Sequence, residues 1–106
     1  MISKEDKKIL EKLCTRVRER FPDARIWAFG SRVRGDASWD SDFDTCIVLK
    51  HVESEVIEWI RKVAWEVGFE HERVITTVIL SFDEFQNGPM SESALIDNIL
   101  HEGIVA

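Results

Sequence analysis

A chain of 106 residues, 44% hydrophobic and 32% charged, suits one globular unit with one core and excludes a disordered tail. No apolar stretch approaches the roughly 20 residues that a membrane helix needs, so a spanning segment is excluded as well. The formal charge of −6 argues against a surface that grips a nucleic-acid backbone. Cys14 and Cys46 belong to no CxxC or Cys/His cluster, which disfavours structural zinc and predicts reduced thiols. The charged, helical start Met1-Ile2-Ser3-Lys4-Glu5-Asp6 is unlike a signal peptide. The expectation is a single cytoplasmic domain over residues 1–106.

In chain order, Ser3 is a candidate N-cap with Asp6 at the third helical position. Ile9, Leu10, Leu13, Cys14 and Val17 mark one helical stripe, ending near Phe21-Pro22-Asp23. Residues 25–29 read as a strand, 31–38 as a short helix led by Ser31, and 43–49 as a second strand closed by Lys50-His51. The link between these strands is too short to cross back over a sheet, so they should lie antiparallel. Val56, Ile60, Val63, Ala64 and Val67 give a second amphipathic helix, with Gly68 expected at its C′ stop. Residues 73–80 are rich in β-branched side chains and read as a strand. Strand, helix and strand in this order imply a right-handed crossover and parallel pairing. Pro89 follows a polar loop, and Ala94, Leu95, Ile99 and Leu100 suggest a last helix ended by Gly103. The expected class is α+β, a mixed sheet covered by helices.

Chemistry concentrates between the first two strands. Gly30-Ser31 closes one apolar run, and Asp42-Phe43-Asp44 opens the next. Residues i and i+2 of a strand share a face, so Asp42 and Asp44 can converge on one hard cation. Magnesium favours such oxygen ligands and completes its shell with waters and substrate phosphates. The Gly-Ser turn offers backbone N–H groups, a hydroxyl and a helix N-terminus, which together form a phosphate cradle. A cradle beside a magnesium pair reads as nucleotide chemistry. A solvated strand start is the plain alternative, but neighbouring like charges at a strand end are destabilising unless a cation sits there. Arg32 and Arg34 either contact the β- and γ-phosphates or form an exposed helix face. Gly35 either ends the short helix or admits a phosphate. Ser41 reads as a turn cap, and Asp36 and Asp40 read as surface residues, with a place in a second coordination shell as the alternative.

This spacing, Gly-Ser, ten residues, then Asp-x-Asp, resembles the nucleotidyltransferase superfamily that includes DNA polymerase beta. Within it the chain is most similar to the minimal nucleotidyltransferases (MNT), and the likeness extends to Glu102-Gly103-Ile104-Val105. The resemblance implies a two-layer polymerase beta-like palm fold. It implies that Gly30 and Ser31 hold a nucleoside triphosphate and that Asp42 and Asp44 are the catalytic, Mg2+-binding pair, with a two-metal site open. It also implies transfer of AMP from ATP to an acceptor. Proteins of this kind are typically encoded beside a small helical HEPN-domain protein, a ribonuclease-type toxin. They act as its antitoxin, in some systems by adenylylating it. No residues remain to build template or primer domains, so the acceptor should be small or a partner protein. A binding module without turnover, and transfer to a small hydroxylated compound, are the competing readings. Homo-oligomerisation is left open.

One departure from the family pattern stands out. Relatives that catalyse transfer usually carry a third acid on a neighbouring strand, but residues 73–80 centre on Thr76-Thr77. Glu70 and Glu72 lie just before that strand and are the candidate substitutes, although both also read as plain loop residues. His51, His71 and His101 are too scattered for a metal site. Trp59 and Trp65 fall partly off their helical stripe, where an exposed aromatic pair would mark a contact surface. Trp27 reads as core, and Trp39, in the loop between cradle and metal pair, as a residue that could stack on a base or close over it.

Overall fold

Helix α1 (Lys4–Arg20) begins where its cap places it, with Asp6 N–H donating to Ser3 Oγ at 3.0 Å. Glu5 and Asp6 sit in its first turn and Arg18 and Arg20 in its last, each on the favourable end of the helix dipole. It stops at Phe21, before Pro22, whose missing N–H could not continue it. In this computed structural model the described residues are 3–30, 42–87, 96–97, 99–100 and 103–105. Ser31, Arg32, Arg34, Gly35, Asp36, Trp39, Asp40, Ser41 and the helix expected at 31–38 lie outside them, as do Pro89, Ala94 and Leu95.

After α1 come β1 (Arg25–Phe29), β2 (Phe43–Leu49), α2 (Ser54–Glu70), β3 (Ile75–Ser81), α3 (Phe82–Asn87) and β4 (Ile104–Val105). The described strands form one sheet in the order β3-β2-β1-β4. β1 and β2 are antiparallel, β2 and β3 parallel, as their connections require. β4 adds antiparallel to β1, pairing Ala28 with Ile104. The fold is α+β, a mixed sheet covered by helices.

Strand alternation sorts the side chains onto two faces. Ile26, Ala28, Phe43, Ile47 and Leu49 pack under α1 and α2 with Leu13, Val17, Ile60 and Val63. Trp27, Cys46, Val48 and Leu80 pack on the other face with Ile96, Ile99, Phe82 and Phe85. Trp27 is core, as its sequence context suggests, and stacks on Phe85 at 5.1 Å. The two long helices are aligned antiparallel by Lys12–Glu70, Arg16–Glu66 and Arg20–Glu55. All three pairs are substantially exposed, so they set alignment while the apolar layer beneath supplies stability.

Three local features differ from expectation. α2 runs through Gly68 to Glu70, so Gly68 is not the C′ stop. Its carbonyl accepts the N–H groups of His71 and Arg73, and a Cβ on it would overlap the Arg73 carbonyl. The glycine is needed for this close approach, and Glu72 takes the left-handed turn conformation instead (φ 56°). β3 starts at Ile75 rather than residue 73, because Arg73 turns towards α1, 3.4 Å from Glu5 and 3.7 Å from the buried Asp6. The polar stretch after β3 contains α3, whose Ser81 and Glu84 bond reciprocally, side chain to backbone N–H. No described helix is long and apolar enough to cross a membrane.

Both thiols are buried, and that burial pushes Cys14 up to about 11 and Cys46 up to about 12. The folded chain therefore holds protons that the unfolded chain releases above pH ~9, so stability falls as pH rises towards these values. We expect the melting temperature to drop between pH 9 and pH 11, with Cys14→Ala/Cys46→Ala showing a shallower drop; equal slopes would exclude the thiols as the cause.

Candidate active site

The centre of the site is a row of three residues that the strand pairing lines up. Phe29 at the end of β1 pairs with Asp44, and Asp44 pairs on its other side with Thr76 of β3. Gly30 follows Phe29 directly and adopts φ +83°, a conformation in which a side chain is strained. A Cβ built on Gly30 would overlap Asp44 Oδ2 and lie 3.2 Å from its Cγ. The Asp44 carboxylate thus lies directly against the Gly30 backbone, and only glycine permits it. On the opposite side the Thr76 hydroxyl donates to Asp44 Oδ1 at 2.6 Å, the short distance of a bond to an ionised acceptor.

Alternation along β2 fixes which way this carboxylate faces. Phe43 and Ile47 point into the α1/α2 core, and Cys46 and Val48 to the other face. Asp44 shares the face of Cys46. Asp42, one step before β2 and two residues from Asp44, is exposed, whereas Asp44 is half-buried. Their same-face spacing and their oxygen donors suit a hard divalent cation. Among the described residues no group of three His, Cys, Asp or Glu side chains could hold a metal. Among the described residues the oxygen donors at this strand edge are the carboxylates of Asp42 and Asp44, a number that leaves positions for water and for phosphate oxygens. That fits magnesium, which retains much of its shell.

Gly30 and Asp44 meet at the paired strand ends, Asp42 lies two residues before Asp44 and just outside β2, and Ser31, Arg32 and Arg34 lie outside the described residues. Glu70 and Glu72 lie elsewhere. Glu70 ends α2 in the helix layer, on the sheet face opposite Asp44, and pairs with Lys12 at 2.5 Å. The hydrogen bond and the charge of Lys12 hold its carboxyl below the usual value. Glu72 occupies the α2–β3 turn. The sequence marks Thr76-Thr77 only as the place that lacks a third acid, and gives Thr76 no role beside Asp44. Its signal was available in the parallel pairing of residues 43–49 with 73–80, but the register between the strands was not. Trp59 packs edge-on to Phe21 with Arg20 over both rings, whereas Trp65 is exposed and stacks on Phe69.

A family model described as a nucleotidyltransferase domain matches residues 8–105. No curated protein sequence matches the chain significantly. Among solved structures, it is similar to a toxin–antitoxin crystallised with AMP-PNP (TM-score 0.62, 15% identity, covering 90% of this chain and 69% of that one). It is also similar to a mutant MntA–HpeT toxin–antitoxin (TM-score 0.61, 17% identity, 94% and 70% covered). A third similar structure is a candidate nucleotidyltransferase from Sulfolobus solfataricus (TM-score 0.52, 18% identity, 95% and 81% covered). At these identities the structural likeness concerns the fold.

Gly30→Ala places a methyl group where Asp44 Oδ2 lies and forces an L-residue into left-handed backbone. With roughly 1–2 kcal/mol for the backbone alone, the melting temperature should fall by about 5–10 °C. A melting curve superimposable on that of the wild type would show that the carboxylate is not held against this glycine.

Proposed function

Because this chain belongs to the nucleotidyltransferase domain family, we propose that it transfers a nucleotidyl group, AMP from ATP, to a partner protein and restrains that partner as an antitoxin. The observation that carries this reading is the Asp44 carboxylate held between the Gly30 backbone and the Thr76 hydroxyl, with Asp42 two residues away. The toxin–antitoxin structures of similar fold, one of them holding AMP-PNP, support both the nucleotide and the kind of partner. In the proposal that partner is a HEPN-domain toxin, residues 1–106 act as one domain, and the setting is the cytoplasm.

In the proposed reaction an acceptor hydroxyl attacks the α-phosphorus and loses its proton to solvent, the bond to the bridging oxygen breaks, and pyrophosphate leaves. Gly30 and Ser31 seat the triphosphate, and Arg32 and Arg34 neutralise its outer phosphates. Asp42 and Asp44 hold Mg2+, which when bound neutralises charge on the phosphoryl oxygens. Thr76 fixes the rotamer of Asp44, so that one oxygen stays tied and the other faces the glycine turn.

A second reading is favoured by that same threonine. A neutral hydroxyl stands beside Asp44 where a further carboxylate could bind a second metal or activate the acceptor, which suits a module that binds nucleotide without turnover.

Labelled ATP, Mg2+ and the product of the neighbouring gene distinguish these readings. Transfer predicts label on the partner, reduced at least about 100-fold by Asp42→Ala/Asp44→Ala. Nucleotide binding without label or pyrophosphate release selects the binding module, and absence of binding overturns both. Thr76→Asp should add a third ligand. Expected outcomes are a lower melting temperature without metal, from carboxylate repulsion, and a larger Mg2+-induced rise than in the wild type. An unchanged Mg2+ response would place Thr76 outside the cation's reach.

A further inference from the structure

Among the described residues, the outer edge of β3 is a feature that the candidate site leaves unused. Among the described residues β3 pairs only with β2. The carbonyl of Val74 accepts from Phe43 N–H, and that of Thr76 accepts from Thr45 Oγ1. Residues 74 and 76 therefore direct their backbone polar groups towards β2. By alternation Ile75, Thr77 and Ile79 direct theirs outward. Edge strands are ordinarily blunted by proline, lysine or a bulge, and Ile75–Ser81 has no proline and no charged residue.

Beside this edge runs a groove of about 770 Å³ whose lining includes Arg61, Trp65, Phe69, Val74, Ile75 and Thr77. Trp65 and Phe69 stack at 5.2 Å and are 66% and 72% exposed, and Val74 is 64% exposed. Helix α2 thus carries an apolar shelf alongside a strand edge with outward hydrogen-bonding groups. A strand laid along the edge would satisfy those groups and cover the shelf together.

We propose that the occupant is a second copy of this chain, with two β3 strands pairing antiparallel about a twofold axis and the Trp65–Phe69 shelves closing against each other. Charge supports this choice. Two chains of net charge −6 repel overall, but β3 itself carries no charged residue, and the charged lining of the groove is balanced, Arg61 and Arg73 against Glu70 and Glu72. Area supports it as well. Four rings, each about two-thirds exposed, contribute on the order of 500 Å². The two strand edges and Val74 add to this, towards the total of about 1,200 Å² that a stable interface needs. The contact is isologous and therefore closed, so pairing ends at two copies. It uses the face of β3 remote from Asp44 and does not depend on the proposed transferase reaction.

Sedimentation velocity of the whole chain from ~1 to ~200 μM should show a monomer–dimer equilibrium. Thr77→Pro removes an outward N–H at a position where an edge strand tolerates proline. Trp65→Glu/Phe69→Glu charges the shelf at exposed positions, so it remains informative even where the proline variant fails to fold. Each should weaken the dimer at least about tenfold with an unchanged circular dichroism spectrum. Amide exchange at Ile75, Thr77 and Ile79 should slow as concentration rises. A monomer throughout, or a dimer indifferent to the shelf variant, overturns the proposal. So does a chain that stays monomeric while the neighbouring gene product protects those amides, since the edge would then serve a different protein.

Discussion

Everything in this structure depends on β2 being paired differently on its two sides. It runs antiparallel to β1, which brings the end of one strand beside the start of the other. It runs parallel to β3, which brings two strand starts together. The end of β1, the start of β2 and the start of β3 therefore meet at one edge of the sheet. Phe29, Asp44 and Thr76 form a single transverse row there, with Gly30 directly after Phe29, although they come from three segments. A reversed β3 would carry Thr76 out of that row.

The rest of the molecule holds this row still. Phe43, Ile47 and Leu49 are fully buried under the long helices, each contributing about 1.5–3 kcal/mol by burial, so β2 has little freedom to slide. A slip of one residue would turn Asp44 into the apolar core, a heavy penalty for an unpaired carboxylate. Register is thus guarded by the apolar residues on either side of the aspartate. Arg73 anchors the entry to β3 near Glu5 and the buried Asp6, joining the strand that carries Thr76 to the first turn of α1.

Much of this was legible in the residues. The stripes of α1 and α2, the β-branched run of β3, and the short link between β1 and β2 each follow from local pattern and chain length. The alternation of Asp42 and Asp44 was equally plain. What eluded the sequence was relational. Thr76 looks like any strand threonine until parallel register sets it against Asp44. Gly68 looks like a helix stop, but its lack of a side chain serves the approach of the Arg73 carbonyl, and the left-handed turn falls to Glu72. Helix α3 is short and polar, formed as the chain folds back after β3 and packs the half-buried Phe82 and Phe85 against the second face.

The order in which these parts leave the ribosome has its own consequence. When β2 emerges, the glycine turn that receives its aspartate has already been made, but the threonine that grips the other oxygen lies 32 residues downstream. Until α2 has crossed and β3 has docked, the carboxylate keeps one unrestrained oxygen. The site is consequently completed only after β3 has been made, and a nascent chain that stops short of it would carry its acids without the geometry that aims them.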